Sequence, residues 1–473
     1  MKILFAASEA FPFATSGGLG DVIGALPRAL AKRGEKVSVI IPCYGFISQE
    51  YRASMEEVCS VSFNLGWRKT GASIYKTRVD AVDWYFVYNS YYFDRDKLYG
   101  EDDDGERFAF FSMAVLEFVR CYLKDTEIIH SNDWHTSLCN VYLKTIYSED
   151  EILKNIRTVF TIHNVQYQGK FDPYILGNVF GLEEKYKSIL EYNGSLNLMK
   201  GALVCADRIT TVSCRYADEL KYDYFGYGLS PMIKDVEDKL IGIINGIDYG
   251  TYSPYNGSDI FHPYSKRDSV SGKTKNKKAL YDLLGIDAAE DDTLIVMVTR
   301  LTEQKGIDLV LGVLDEILAE KITMIILGCG DEKYEKALSE ATKKYENLYV
   351  KLGFDKELSK KLYAAGDIFL MPSKSEPCGL SQMIACAYGT VPIVRRVGGL
   401  SNSIISYGEE NSNGFVFDNY NAHELLYKIK DALNVRKNKA KWRSLILRCM
   451  SSDFSWDNSA EKYLALYREM LNL

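Results

Sequence analysis

No two cysteines stand at CxxC spacing anywhere in this chain, and its ten cysteines and five histidines are scattered along 473 residues. That scatter favours a reducing compartment with ordinary buried thiols over a disulfide framework or a zinc site. A chain of this length divides into two or three domains more readily than it fills one core, and it needs no metal or disulfide staple. Charge of one sign is scarce as well: 57 basic side chains face 64 acidic ones, a net charge of −7. The balance gives no argument for a nucleic-acid partner. No apolar run is long enough to span a membrane. The opening MKILFAA meets Glu9 too soon to serve as a secretory signal, so the cytoplasm is the expected location and no membrane partner is expected.

Tyrosine is plentiful, with 34 residues against 21 phenylalanines and 5 tryptophans. Its flat apolar ring with a polar tip suits the faces of carbohydrates, and it suits ordinary core packing equally. The order of elements is more informative. KILFAAS predicts a strand, Asp21 to Arg33 carries apolar positions at helical spacing, and EKVSVIIP predicts a second strand. Strand, glycine-rich turn, helix and strand make a βαβ unit with parallel pairing. Residues 60–69 and 71–89 read as extended strands outside that pattern, and the acidic run at 101–106 reads as a solvated loop. Alternation resumes with predicted strands at 126–133, 156–164, 206–214 and 239–247. Four polar clusters follow such strands, where open parallel sheets collect ligands: Ser8/Glu9, Asp133/His135, His163/Asn164 and Asn245/Asp248.

From Tyr249 to about Ser271 the composition turns irregular and reads as a linker. A second α/β series follows, with strands in LIVMVTR, ITMIILGCG, NLYVKLG, IFLMPS, VPIVRR and NGFVF, and an amphipathic helix ends the chain. The domains expected are 1–248 and 249–455, with helix 456–473 able to pack on its own domain or to cross back to the first, and a cleft between two such halves could enclose a sizeable substrate.

Three stretches carry chemistry. In TSGGLGDV, glycines 17, 18 and 20 precede a helix N-terminus, a place that favours an anion. The spacing fits neither GxGxxG nor a Walker loop. A ligand-cradling turn and a purely structural one both remain open on these residues alone. VTRLTEQKG sets Arg300 and Lys305 just past a strand, where two cations could converge on a leaving diphosphate or form a routine solvated loop. PSKSEPCGLSQ places Glu376 after a strand, with Cys378, Gly379 and Leu380 leading into a helix; a carboxylate there can accept hydrogen bonds from sugar hydroxyls. Gly398 and Gly399 form another close-approach turn. His163, after a strand, could donate to a sugar hydroxyl or to a transition-state oxygen, or serve as a structural histidine.

Taken in order, SGGLGDV, HSNDWH (130–135), TIHNVQYQG (161–169), GALVCADRITTVS (201–213), IINGID (243–248), TRLTEQKG (299–306), PSKSEPCGLSQ (372–382), YGTVPIVRRVGGL (388–400) and DFSW (453–456) make a chain that resembles the bacterial glycogen synthase and plant starch synthase family over practically its whole length. The resemblance implies the α/β GT-B architecture, two Rossmann-like domains with an interdomain active-site cleft, and a C-terminal helix, 456–473, that packs back on the first domain. It implies transfer of glucose from ADP-glucose to the non-reducing end of an α-1,4-glucan or maltooligosaccharide, with retention and without a cofactor or metal. By the family pattern Arg300 and Lys305 hold the donor diphosphate, Gly18 brings backbone N–H groups near it, and Glu376 supports the donor sugar with Cys378, Gly379 and Leu380. His163 lies beside the reacting glucose; Asp21, Asp133, Asn245 and Tyr92 belong to the substrate-binding set.

In one place the chain departs from the pattern. Bacterial members usually carry Lys-Thr ahead of the two glycines, and Thr15-Ser16 stands here, one positive charge fewer at the phosphate end. The alternatives are a related glucosyltransferase using UDP-glucose or a short saccharide acceptor, and a noncatalytic glucan-binding protein. A nicotinamide oxidoreductase would need a GxGxxG turn and an acidic residue closing the next strand, which EKVSVIIPCYG does not supply.

Overall fold

Lys2–Ala6, apolar after its first residue, forms β1 and is buried from Ile3 onward, as a parallel strand covered on both faces requires. The computed structural model describes residues 1–255, 259–287, 289 and 291–473. Its backbone contacts divide into two units, Met1–Ile244 with Trp456–Leu473, and Asn245–Ser455. The division falls at 244/245, four residues before the boundary expected from sequence. Asn245 and Ile247 go with the second unit because the Asn245 N–H donates to the Cys378 thiol and the Ile247 N–H to the Phe454 carbonyl.

The strands of the first unit are β1, β2 (Lys36–Pro42), β3 (Glu56–Leu65), β4 (Arg68–Val79), β5 (Val82–Tyr88), β6 (Ile128–Asn132), β7 (Arg157–Ile162), β8 (Lys170–Phe171), β9 (Glu191–Tyr192), β10 (Ser195–Asn197), β11 (Arg208–Thr211) and β12 (Leu240–Gly242). Nine form one sheet in the order β12-β11-β7-β6-β1-β2-β5-β4-β3, and β8-β10-β9 form a small separate one. β1 pairs in parallel with β2 on one side and β6 on the other, so the winding reverses there. The crevice beyond the carboxyl end of such a switch point is where open sheets take ligands. Glu9, Asp133 and His163 follow β1, β6 and β7.

The segments at 60–69 and 71–89 form extended strands outside the βαβ pattern, as expected, and they stay on the same sheet: β5 pairs in parallel with β2, and β4 and β3 follow antiparallel at its edge. One expectation needs correction: the acidic run is not a solvated loop throughout. A helix begins inside it at Asp104 and runs to Cys121. Asp104 is buried against the guanidinium of Arg107, which is itself fully buried, and Glu106 accepts from the Tyr92 hydroxyl at 2.7 Å. Buried cations require such partners.

Among the described residues six strands build the second unit: β13 (Thr293–Val298), β14 (Ile322–Gly328), β15 (Leu348–Leu352), β16 (Ile368–Met371), β17 (Val391–Arg395) and β18 (Phe415–Phe417). All pair in parallel, in the order β15-β14-β13-β16-β17-β18, so β13 is its switch point. The stretch 249–271, expected to be a linker, is partly integrated into this unit; residues 256–258 of it lie outside the described residues. Tyr264 is buried with its hydroxyl donating to the Tyr388 carbonyl, and a helix already starts at Ser269.

The final helix, Trp456–Leu471, belongs to the first unit, where it buries Trp456, Tyr463 and Tyr467. The Tyr467 hydroxyl lies 2.7 Å from His130 Nδ1 on β6. Arg33, at the end of helix Gly18–Lys32, binds Asp457 and Glu461 of it.

Candidate functional site

Beyond β1, the buried carboxylate of Glu9 organises the glycine turn. It accepts from the Ser16 N–H, from the Ser16 hydroxyl at 2.8 Å and from the Gly20 N–H at 3.2 Å. Burial pushes its pKa up, opposed by these hydrogen bonds. Gly20 is required by the chain itself, since a Cβ there would lie 2.2 Å from the Thr15 hydroxyl. Gly17 and Gly18 are different: both are exposed, and a Cβ at either would meet nothing within 4 Å. Helix Gly18–Lys32 starts at that open point, with Asp21 exposed in its first turn.

Beyond β6 and β7, Asp133 and His163 come together. The Asp133 carboxylate accepts from the backbone N–H groups of His163, at 2.8 Å, and of Asn164. Burial nevertheless pushes the Asp133 carboxyl up to about 7, with Glu9 adding to the rise. His163 Nε2 lies 2.9 Å from Asn132 Oδ1, and burial pushes the imidazole down to about 3. The Asn132 Nδ2 donates to the carbonyls of Ala6 and His130, so its oxygen is the atom turned toward the ring. With that oxygen facing the ring, His163 donates through Nε2 to Asn132 and leaves Nδ1 as an acceptor. Asn132 escaped the sequence reading although it sits in HSNDWH at a strand terminus. Tyr92 is buried with its hydroxyl committed to Glu106 and its ring 4.4 Å from Phe110.

In the second unit, the loops after β13 and β16 pack on each other. The Lys374 N–H donates to the Gln304 carbonyl, and Gly306, at φ 76°, lies so close that a Cβ would stand 2.2 Å from the Pro372 carbonyl. This brings the Lys305 ammonium to the Glu376 carboxylate at 2.6 Å, with the Ser373 hydroxyl on the same oxygen at 3.1 Å. Arg300 is exposed and has no ion-pair partner among the described residues. Gly398, at φ 43°, and Gly399 lie against the backbone of Glu376 to Cys378, and the Gly399 N–H donates to the Glu376 carbonyl. Gly379, at φ 74°, and Leu380 lead into helix Ser381–Ala387. Cys378 is buried and its thiol is pushed up to about 12. The Asn245 Oδ1 beside it is buried without a hydrogen-bond partner. A buried acceptor left open is costly unless something else supplies the donor.

Two α/β units, one on a mixed sheet and one on a parallel sheet, each with charged or hydrogen-bonding groups beyond its switch point, match a glycosyltransferase of GT-B architecture. Residues 2–235 match the starch synthase catalytic domain and residues 285–444 match glycosyl transferases group 1. The glycogen synthase of Bacillus cereus strain Q1 is 44% identical over 476 residues, and that of Clostridium novyi strain NT 42% over 479, each alignment covering 100% of both chains. The catalytic domain of starch synthase IV from Arabidopsis thaliana, solved bound to ADP and acarbose, superposes with a TM-score of 0.90 at 31% identity, covering 100% of this chain and 99% of that one. Sucrose-phosphate synthase from Thermosynechococcus elongatus, at 16% identity and a TM-score of 0.62 over 100% of this chain and 99% of that one, shares the fold alone. The chain belongs to the bacterial glycogen synthase and plant starch synthase family.

Proposed function

We propose that this enzyme transfers glucose from ADP-glucose to the non-reducing end of an α-1,4-glucan, with retention at the anomeric carbon. The observation that carries the proposal is the Arg300, Lys305 and Glu376 set: one cation without an ion-pair partner among the described residues and one held on a carboxylate, on two loops locked together beyond the switch point. The second unit takes the donor. Arg300 and Lys305 compensate the diphosphate as its charge grows, and Glu376, with the backbone from Cys378 to Leu380, accepts from hydroxyls of the donor glucose. The first unit serves the acceptor and the reacting glucose, through Asp133 and His163; Gly18 gives a phosphate close access to the amides of a helix start. Asn245, with its open oxygen, offers an acceptor to the sugar.

No step requires a covalent enzyme intermediate. The bond from anomeric carbon to phosphate oxygen breaks, the departing oxygen takes the proton of the incoming glucan hydroxyl, and the new glycosidic bond forms on the same face. The name of the Bacillus relatives and the ADP bound to the Arabidopsis enzyme support the polymer product and the donor base. Thr15, uncharged at the phosphate end, keeps UDP-glucose as the donor to compare. Purified protein is given ADP-glucose or UDP-glucose, with and without glycogen, while nucleotide release and polymer growth are followed. Growth of glycogen with release of ADP is expected; incorporation into a small acceptor alone, or no nucleotide release, sinks the proposal.

A further inference from the structure

The proposed function leaves open how His163, a group with two chemically different nitrogens, is held in one form. A neutral imidazole has one N–H and one lone pair, and the partner of one nitrogen decides the role of the other. Asn132 is that partner. Its Nδ2 lies 3.2 Å from the Ala6 carbonyl and 3.1 Å from the His130 carbonyl, two acceptors that an amide oxygen could not face. Its Oδ1, 2.9 Å from His163 Nε2, can only accept. The Asn132 backbone is pinned as well, its N–H donating to the Thr136 hydroxyl at 2.6 Å and its carbonyl accepting from that hydroxyl at 2.9 Å. On the other side of the histidine, Asp133 takes the His163 N–H, fixing where the ring starts. His163 Nδ1 has no partner among the described residues and is not sealed from solvent.

We propose that Asn132 is a positioning residue for the transfer: it holds His163 as the Nε2–H tautomer, so that Nδ1 accepts a hydrogen bond from a hydroxyl of the reacting glucose. The inference rests on the reading that His163 lies beside that glucose. Protonation of Nδ1 would turn the acceptor into a donor and add a positive charge. The uncharged amide of Asn132 avoids this, whereas a carboxylate in its place would stabilise the imidazolium. The other titratable groups around the ring are His130 on β6, whose own neutral form burial favours, Asp133 at the end of β6, Tyr216, whose hydroxyl takes the Val165 N–H, and Glu9, which acts on Asp133.

Two measurements test the assignment on the full chain. In protein labelled with 15N-histidine, the ring nitrogens of His163, identified by their loss in His163→Phe, are expected to show a protonated Nε2 and an unprotonated Nδ1 across about pH 5 to 8. In steady-state assays, Asn132→Leu is expected to lower kcat by roughly 10- to 100-fold, the range typical of partners that orient a functional histidine. Its donor KM should stay within about twofold of the parent, the pattern of an interaction strengthened in the transition state. Asn132→Asp restores the acceptor. It is expected to recover kcat at high pH and to lose it as pH falls through the raised histidine pKa, a limb additional to the one Asp133 gives the parent. A merely structural Asn132 would alter thermal stability and leave the pH profile in place. An Nδ1–H tautomer in the parent, or an Asn132→Asp profile superimposable on the parent's while His163→Phe is inactive, overturns the proposal. Full activity in His163→Phe overturns the reading beneath it.

Discussion

Gly18 and Gly398 are both glycines at functional loops, yet they answer different demands. A Cβ at Gly398 would stand 1.9 Å from the Glu376 carbonyl, at a backbone angle that disfavours side chains, so the demand comes from the protein. Gly398→Ala is expected to lower stability by on the order of 1–3 kcal/mol and to displace Glu376, read as a drop in Tm together with kcat. Gly18 meets nothing. Gly18→Ala should leave Tm unchanged and raise the donor KM, because only a ligand's approach calls for the missing side chain. The two cations separate in the same manner. Arg300→Ala removes a charge with no partner and should cost about 3 kcal/mol in the transition state, roughly a hundredfold in turnover, at unchanged Tm. Lys305→Ala should cost as much turnover and also lower Tm, since it leaves the buried Glu376 carboxylate without its counter-charge. Near-normal turnover in either folded variant contradicts the diphosphate role. These residues were legible from sequence because each follows a strongly apolar strand. The contact between Lys305 and Glu376 was not, since it spans 71 residues and depends on two loops meeting.

At the scale of elements, strands buried on both faces announced themselves as continuous apolar runs, and β14, buried at every position, is the plainest case. The start of helix Asp104–Cys121 was hidden behind its charges. A run of five acidic residues in six looks solvated until Arg68, Arg95 and Arg107 are known to reach it. The final helix was legible as amphipathic, while its attachment through Tyr467 and His130 was not, the two being 337 residues apart. Tyr467→Phe is expected to destabilise the first unit by about 1 kcal/mol through the lost hydrogen bond. Tyr467→Ala should cost about 3–5 kcal/mol through the added cavity, both measured by denaturant unfolding. The ion pairs of Arg33 with Asp457 and Glu461 are half in solvent, and Arg33→Ala should cost under about 1 kcal/mol.

Across the whole molecule, the groups that resist acid are unevenly placed. His130, His135 and His163 all lie in the first unit, and burial holds each below its ordinary value, His130 and His163 at about 3. An unfolded histidine takes a proton near pH 6.5. Between about pH 6.5 and 3 the unfolded chain therefore binds more protons at these positions, and their contribution to stability is lost as pH falls through that window. Asp133, raised to about 7, acts in the opposite direction, because its folded form takes up a proton before its unfolded form does. Thermal unfolding followed from pH 7 to 5 should show the first unit weakening, less steeply in His130→Gln and more steeply in Asp133→Asn.

The chain leaves the first unit at Ile244 and rejoins it only at Trp456. During synthesis, then, the nine-stranded sheet is made early but remains without its last helix while all of residues 245–455 are translated. At bacterial-scale elongation of about 5–20 residues per second, that interval lasts roughly ten to forty seconds. Throughout it the surface that will meet Trp456, Tyr463 and Tyr467 is uncovered, and the second unit has time to fold before the first is closed.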